Sequence, residues 1–170
     1  RIACITSTRL AMELARRHDA RLHVLHISTA DEIALFDSST PLADKRITAE
    51  TCVHFLHFDA DDYPRLGNKI TCNPAIKFAA DRTALITAVA NGTLDVVATD
   101  HAPHTEDEKA IPYPDAPAGL PLVQHSVQVA LERVFDGDLT VETVVQRACH
   151  APAILFGIAD RGYVHEGAYA

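Results

Sequence analysis

No stretch of this chain approaches the ~18 consecutive apolar residues of a membrane span, and no charged head followed by an apolar run marks a signal peptide. A membrane partner is therefore not expected. Basic residues are in deficit: 15 Lys and Arg stand against 23 Asp and Glu, for a net charge of -8, and they nowhere cluster as a phosphate backbone would require. Nucleic acid is not an expected partner either. The four cysteines, Cys4, Cys52, Cys72 and Cys149, form neither a CxxC redox pair nor a zinc-finger spacing. They read as reduced thiols without a ligand role in a cytoplasmic protein. There is no internal repeat and no low-complexity tract. Nor does the sequence open on Met: Arg1 is followed by Ile2, Ala3, Cys4 and Ile5, which read like the inside of an element and suggest an excerpt of a longer chain.

What is present is the composition of an ordinary globular protein, 48% hydrophobic and 22% charged, with ten histidines. The 170 residues can bury a core but fall short of the roughly 250 that a closed eight-fold α/β barrel normally needs. The spacing predicts a helix over 7–18, with Ser7 or Thr8 as cap, Leu10, Leu14 and Ala15 on its apolar face, and Arg16, Arg17 and His18 in its last turn. A buried strand follows over 22–27, then a helix capped by Ser28 or Thr29 and running to about 36. Further strands are predicted over 47–53 and 93–99, with a helix over 79–90 between them that Asn91-Gly92 closes. Helices over 121–134 and 140–149 complete the order. The apolar stripe of the first is Leu122, Val123, Val127, Ala130 and Val134. Helices alternating with short strands and no hairpin signal are the pattern of parallel βα units. Residues 157–170 read as turns and short extended pieces.

Chemistry gathers at the carboxyl ends of parallel strands, and polar residues stand there. Asp100 leaves the third strand inside Asp100-His101-Ala102-Pro103-His104, ahead of a long irregular loop to Gly119. A carboxylate at a buried strand's exit must accept hydrogen bonds or bind a cation. It serves either as a loop cap or as metal ligand and proton acceptor. His23 and His26 differ by an odd number of positions and so point to opposite faces of a continuous strand. His26, nearer the carboxyl end, is the better ligand candidate, against a core or surface role. His54 and His57 follow the second strand, and no HExxH or other compact zinc signature is present. Asn73 closes an Asx turn or donates to a substrate oxygen. Glu50, in an apolar strand, needs a partner such as a neighbouring Lys or Arg, while Lys69, Lys77 and Arg82 read as solvent-facing.

Leu22-His23-Val24-Leu25-His26-Ile27-Ser28-Thr29, Thr48-Ala49-Glu50, Asn73-Pro74, Thr99-Asp100-His101-Ala102-Pro103-His104 and the closing Ala151-Pro152-Ala153-Ile154-Leu155-Phe156-Gly157 together resemble the carboxyl-terminal half of a dihydroorotase, in the cyclic amidohydrolase family. Val53-His54-Phe55 stands where many relatives read Pro-His-His. The resemblance implies an α/β fold: residues 1–156 as the carboxyl-terminal part of a (β/α)8 barrel of the metal-dependent hydrolase type, and 157–170 as the start of a small β-rich domain. It implies two Zn2+ ions per complete site. His26 would bind one, and Asp100 the other while carrying the proton. Asn73, His104 and the backbone near Gly119 would bind the substrate.

The implied reaction interconverts dihydroorotate and N-carbamoyl-L-aspartate in pyrimidine biosynthesis. The implied partners are a small-molecule substrate and the amino-terminal half of the same enzyme, which carries the remaining ligands; a homo-oligomer is left open. The alternatives are a hydantoinase, dihydropyrimidinase or allantoinase, or a non-catalytic dihydroorotase-like domain. The segment alone is expected to be inactive, with two sheet edges awaiting the other half.

Overall fold

A computed structural model describes residues 1–169. In chain order its main elements are α1 (Ile2–Arg17), β1 (Leu22–Val24), α2 (Ala30–Ile33), β2 (Ile47–Cys52), α3 (Val53–His57), α4 (Tyr63–Leu66), α5 (Ala79–Asn91), β3 (Val96–Ala98), α6 (Glu106–Lys109), α7 (Ser126–Phe135), α8 (Val141–Val145) and α9 (Ala151–Leu155). The strands form one sheet in the order β1-β2-β3. Both pairings are parallel, with Val24 opposite Ala49 and Cys52 opposite Ala98. Every crossover therefore returns to the same end of the sheet, and all three carboxyl ends emerge on one edge. The core lies between the sheet and α3, α5 and α7, around Leu56, Leu85, Val89 and Leu94.

Two buried polar arrangements tie the layers together. Lys45, just ahead of β2, reaches Asp95, just ahead of β3, at 2.6 Å. The second Asp95 oxygen accepts the Ala49 amide at 3.0 Å. The Glu32 carboxylate accepts the Thr8 and Thr29 hydroxyls, each at 2.9 Å, and joins α1 to the start of α2. Thr29 also accepts the Glu32 amide and is the predicted cap.

Several expectations need correction. α1 starts at Ile2, so Ser7 and Thr8 are not caps. Its buried stripe is Thr8, Met12 and Ala15, while Leu10 and Leu14 face outward. The Thr8–Glu32 contact fixes the helix in that rotation. α7 begins at Ser126 rather than 121, and Val123 and Val127 are exposed, leaving Leu122 and Ala130 to enter the core. The last helix runs on from Val141 through a π-helical turn over Gln146–His150 into α9, which lets Pro152 sit in a first turn where no amide is needed.

α5 ends as expected at Gly92, left-handed at φ +85°, where Arg147 packs 2.7 Å from the place a Cβ would occupy. Residues 157–169 hold turns and no strand. Ala170, the last residue of the expected β-rich start, lies outside the described residues.

Candidate active site at the strand exits

β1 ends at Val24, yet the Ile27 amide pairs with the Glu50 carbonyl at 2.8 Å, so Leu25 and His26 bulge from the sheet. His26 stands in the bulge with φ +43°. Two residues beyond β3, Asp100 repeats the device with φ +46°. Left-handed backbone at a residue other than glycine costs about 1 kcal/mol or more and persists where the surroundings impose it. The bulge also explains why strand alternation does not carry from His23 to His26. His23 lies with Thr48 and Glu50 on one face: Nδ1 is 2.8 Å from Thr48 Oγ1 and Nε2 is 3.0 Å from Glu50 Oε2. Glu50 thus finds its partner in a histidine, not in the Lys or Arg expected.

Asp100 is exposed on the same edge. Its charge reaches two buried thiols. Burial chiefly pushes the Cys52 pKa well up, helped by Glu50 and Asp100; burial, then Asp100, raises Cys72 to about 11. Both are neutral thiols at physiological pH.

The sequence alone assigns His54 no role. It follows β2, its side chain is buried, and neither ring nitrogen has a hydrogen-bond partner among the described residues. Burial, then the neighbouring charge of His26, lowers its pKa to about 4, so the ring is neutral. His26, His54 and Asp100 therefore follow the three strands in turn. Burial of a histidine is not visible in a Val-His-Phe triplet, which is why the sequence did not single it out.

The substrate candidates fall on two segments stapled to each other. Asn73 is exposed, between Cys72 and a cis Pro74. Gly119 is buried with φ +143°, and a Cβ there would lie 2.5 Å from both the Cβ and the carbonyl oxygen of Ala102. Only glycine fits. Its amide donates to the Thr71 carbonyl at 2.8 Å, so it is not free for a ligand. His104 places Nε2 3.2 Å from the Ala118 carbonyl and Nδ1 3.8 Å from the Glu108 carboxylate. The bridge between His101 and Leu120 closes the loop at its neck.

For a metal, the donor chemistry at His26 and Asp100 is suitable, but a zinc site needs about four ligands. Among the described residues no group of three His, Cys, Asp or Glu side chains is close enough to hold an ion. Residues 1–169 offer two donors of the right kind and not a complete set.

The fold and this edge define a parallel α/β segment with polar groups gathered at the strand exits. Comparison with known proteins narrows the class. The chain is similar to a dihydroorotase of Halobacterium salinarum, 35% identical over 92% of this chain and 36% of that protein. It is similar to an allantoinase of Streptomyces avermitilis, 34% identical over 90% of this chain and 34% of that protein. Among solved structures, the L-hydantoinase (dihydropyrimidinase) of Arthrobacter aurescens superposes with a TM-score of 0.85 at 26% identity, over 96% of this chain and 37% of that one. No protein-family model matches the chain. The chain thus spans about a third of the length of the curated relatives, and all three named proteins are cyclic amidohydrolases, with dihydroorotase among them.

Proposed function

We propose that residues 1–156 are the carboxyl-terminal half of a (β/α)8 barrel in a zinc-dependent cyclic amidohydrolase, and that the reaction interconverts dihydroorotate and N-carbamoyl-L-aspartate in the pyrimidine pathway. Residues 157–170 would begin a smaller domain, and an amino-terminal half of the same enzyme would close the sheet edges. The observation that carries the reading is the parallel sheet that brings His26 and Asp100, each on left-handed backbone, to the same edge. The sequence likeness to a dihydroorotase over 92% of the chain supports it.

In this reading His26 and Asp100 each contribute a ligand to zinc, with the rest supplied from outside the described residues. Zinc, when bound, polarises the ring carbonyl and eases loss of a proton from water. Asp100 accepts the proton of the attacking water and returns it to the ring nitrogen as the amide C–N bond breaks. Asn73, His104 and the Ala118–Gly119 backbone orient the substrate, with the Gly119 amide structural rather than donating. Among the described residues no helix is long and apolar enough to cross a membrane; a cytoplasmic site of action is part of the proposal.

Allantoinase is the second reading, because the allantoinase relative is nearly as similar. Hydantoinase stands behind it on the structural likeness. Turnover of dihydroorotate, allantoin, hydantoin and dihydrouracil by the intact protein separates them. Highest kcat/KM on dihydroorotate is expected; a preference for another ring reassigns the substrate, and no turnover of any ring removes the proposal.

A further inference from the structure

α6 ends in Lys109, in a Glu106-Asp107-Glu108-Lys109 run that looks like a solvated helical face. The lysine is instead buried, at 8% exposure. Among the described residues no carboxylate lies within ion-pair distance of it. Its ammonium donates to two backbone carbonyls, Pro117 at 2.8 Å and Thr71 at 3.1 Å. The same Thr71 carbonyl also receives the Gly119 amide at 2.8 Å. A buried ammonium held only by carbonyls forgoes hydration without an opposite charge in return. It therefore has to be explained by what those carbonyls position.

Thr71 lies two residues before Asn73, and Pro117 directly precedes Ala118, whose carbonyl anchors His104. One side chain thus joins the segment carrying Asn73 to the returning limb of the loop carrying His104 and Gly119. We propose that Lys109 is a positioning residue for the substrate: its ammonium clamps Pro117–Gly119 against Thr71–Asn73 and so sets the spacing between the groups that bind the ring and its substituents. This rests on the reading of those segments as the substrate side of a cyclic amidohydrolase. Lys109 itself touches no reacting atom.

The test compares wild type, Lys109→Met and Lys109→Gln in the intact protein. It records kcat and KM on the preferred ring, metal content, and amide hydrogen exchange across 101–120. Met retains the stem without a donor, and Gln can still reach one carbonyl. The expected result is KM raised about tenfold or more in Lys109→Met, the scale of one charge-assisted hydrogen bond. A smaller rise is expected in Lys109→Gln, with kcat within about threefold of wild type, metal content unchanged and faster exchange at Gly119 in both. Unchanged KM, or a loss confined to kcat, overturns the proposal, since damaged folding lowers the active fraction without altering KM. If Lys109→Met does not fold, Lys109→Gln decides by the same criteria. A wild type inactive on every ring defeats the functional reading instead. The clamp is then judged by exchange alone, and unchanged exchange at Gly119 refutes it.

Discussion

The two ends of the sheet handle buried polar groups in opposite ways. At the entry end Lys45 and Asp95 neutralise each other at 2.6 Å and Asp95 also takes the Ala49 amide. Midway, His23 has a partner on each ring nitrogen. At the exit end His54 is buried with both nitrogens unpartnered among the described residues, Asp100 is exposed, and His26 and Asp100 hold left-handed backbone. Folding alone would favour the first arrangement everywhere. The difference teaches that the entry end contributes stability, and that the exit end carries strain and open hydrogen-bonding capacity for something else.

The comparison breaks most readily at Lys45–Asp95. Asp95→Ala leaves a buried ammonium without its partner, and a loss of about 3–5 kcal/mol in unfolding free energy is expected. Denaturant titration measures it, while kcat per folded molecule stays near wild type. A loss under about 1 kcal/mol would place the pair among surface-like ion pairs and erase the contrast.

Next in size is a pH effect at the exit. The His54 imidazole titrates near 6.5 when unfolded and near 4 when folded, so the unfolded chain binds the proton more readily. Its contribution is complete above pH 6.5, is lost as pH falls toward 4, and is constant below that, for a total of about 3 kcal/mol. His54→Phe should flatten that part of the stability profile in metal-stripped protein. An unchanged acid limb would show that His54 is not the neutral buried ring described.

The smallest effect is expected at His104. It is half-buried, and its one short contact is to the Ala118 carbonyl, so His104→Ala should cost little stability. A lost charge-assisted contact to a substrate carboxylate should lower kcat/KM for dihydroorotate by about ten- to a hundredfold. The loss should be smaller for dihydrouracil, which has no carboxylate. Equal losses on both rings would assign His104 to the loop alone.

Much of the fold was legible because parallel strands read as short apolar runs, as Val96–Ala98 does, and because Asn91-Gly92 marks a helix end plainly. That Asp100 and His26 stand just past strand ends was legible from their place after such runs. What was hidden depends on rotation and burial. The side of α1 that faces inward is chosen by Thr8 meeting Glu32, 24 positions away. Likewise Lys109 hides in an acidic run until Thr71 and Pro117 close over it, and Gly119 gives its amide to Thr71 rather than to a ligand. Such contacts between distant positions leave no local periodicity to read.

The most direct test of the central claim, that the exit edge is half of a metal-dependent hydrolase site, is zinc stoichiometry measured with turnover in the intact protein. The proposal expects about two zinc ions per chain by the usual two-metal arrangement, about one fewer in His26→Ala, and in Asp100→Ala a fall in kcat of about 10²- to 10⁴-fold from loss of the proton acceptor. Wild-type protein that turns over the ring without bound metal, or His26→Ala and Asp100→Ala variants that keep full zinc and full kcat, would contradict it.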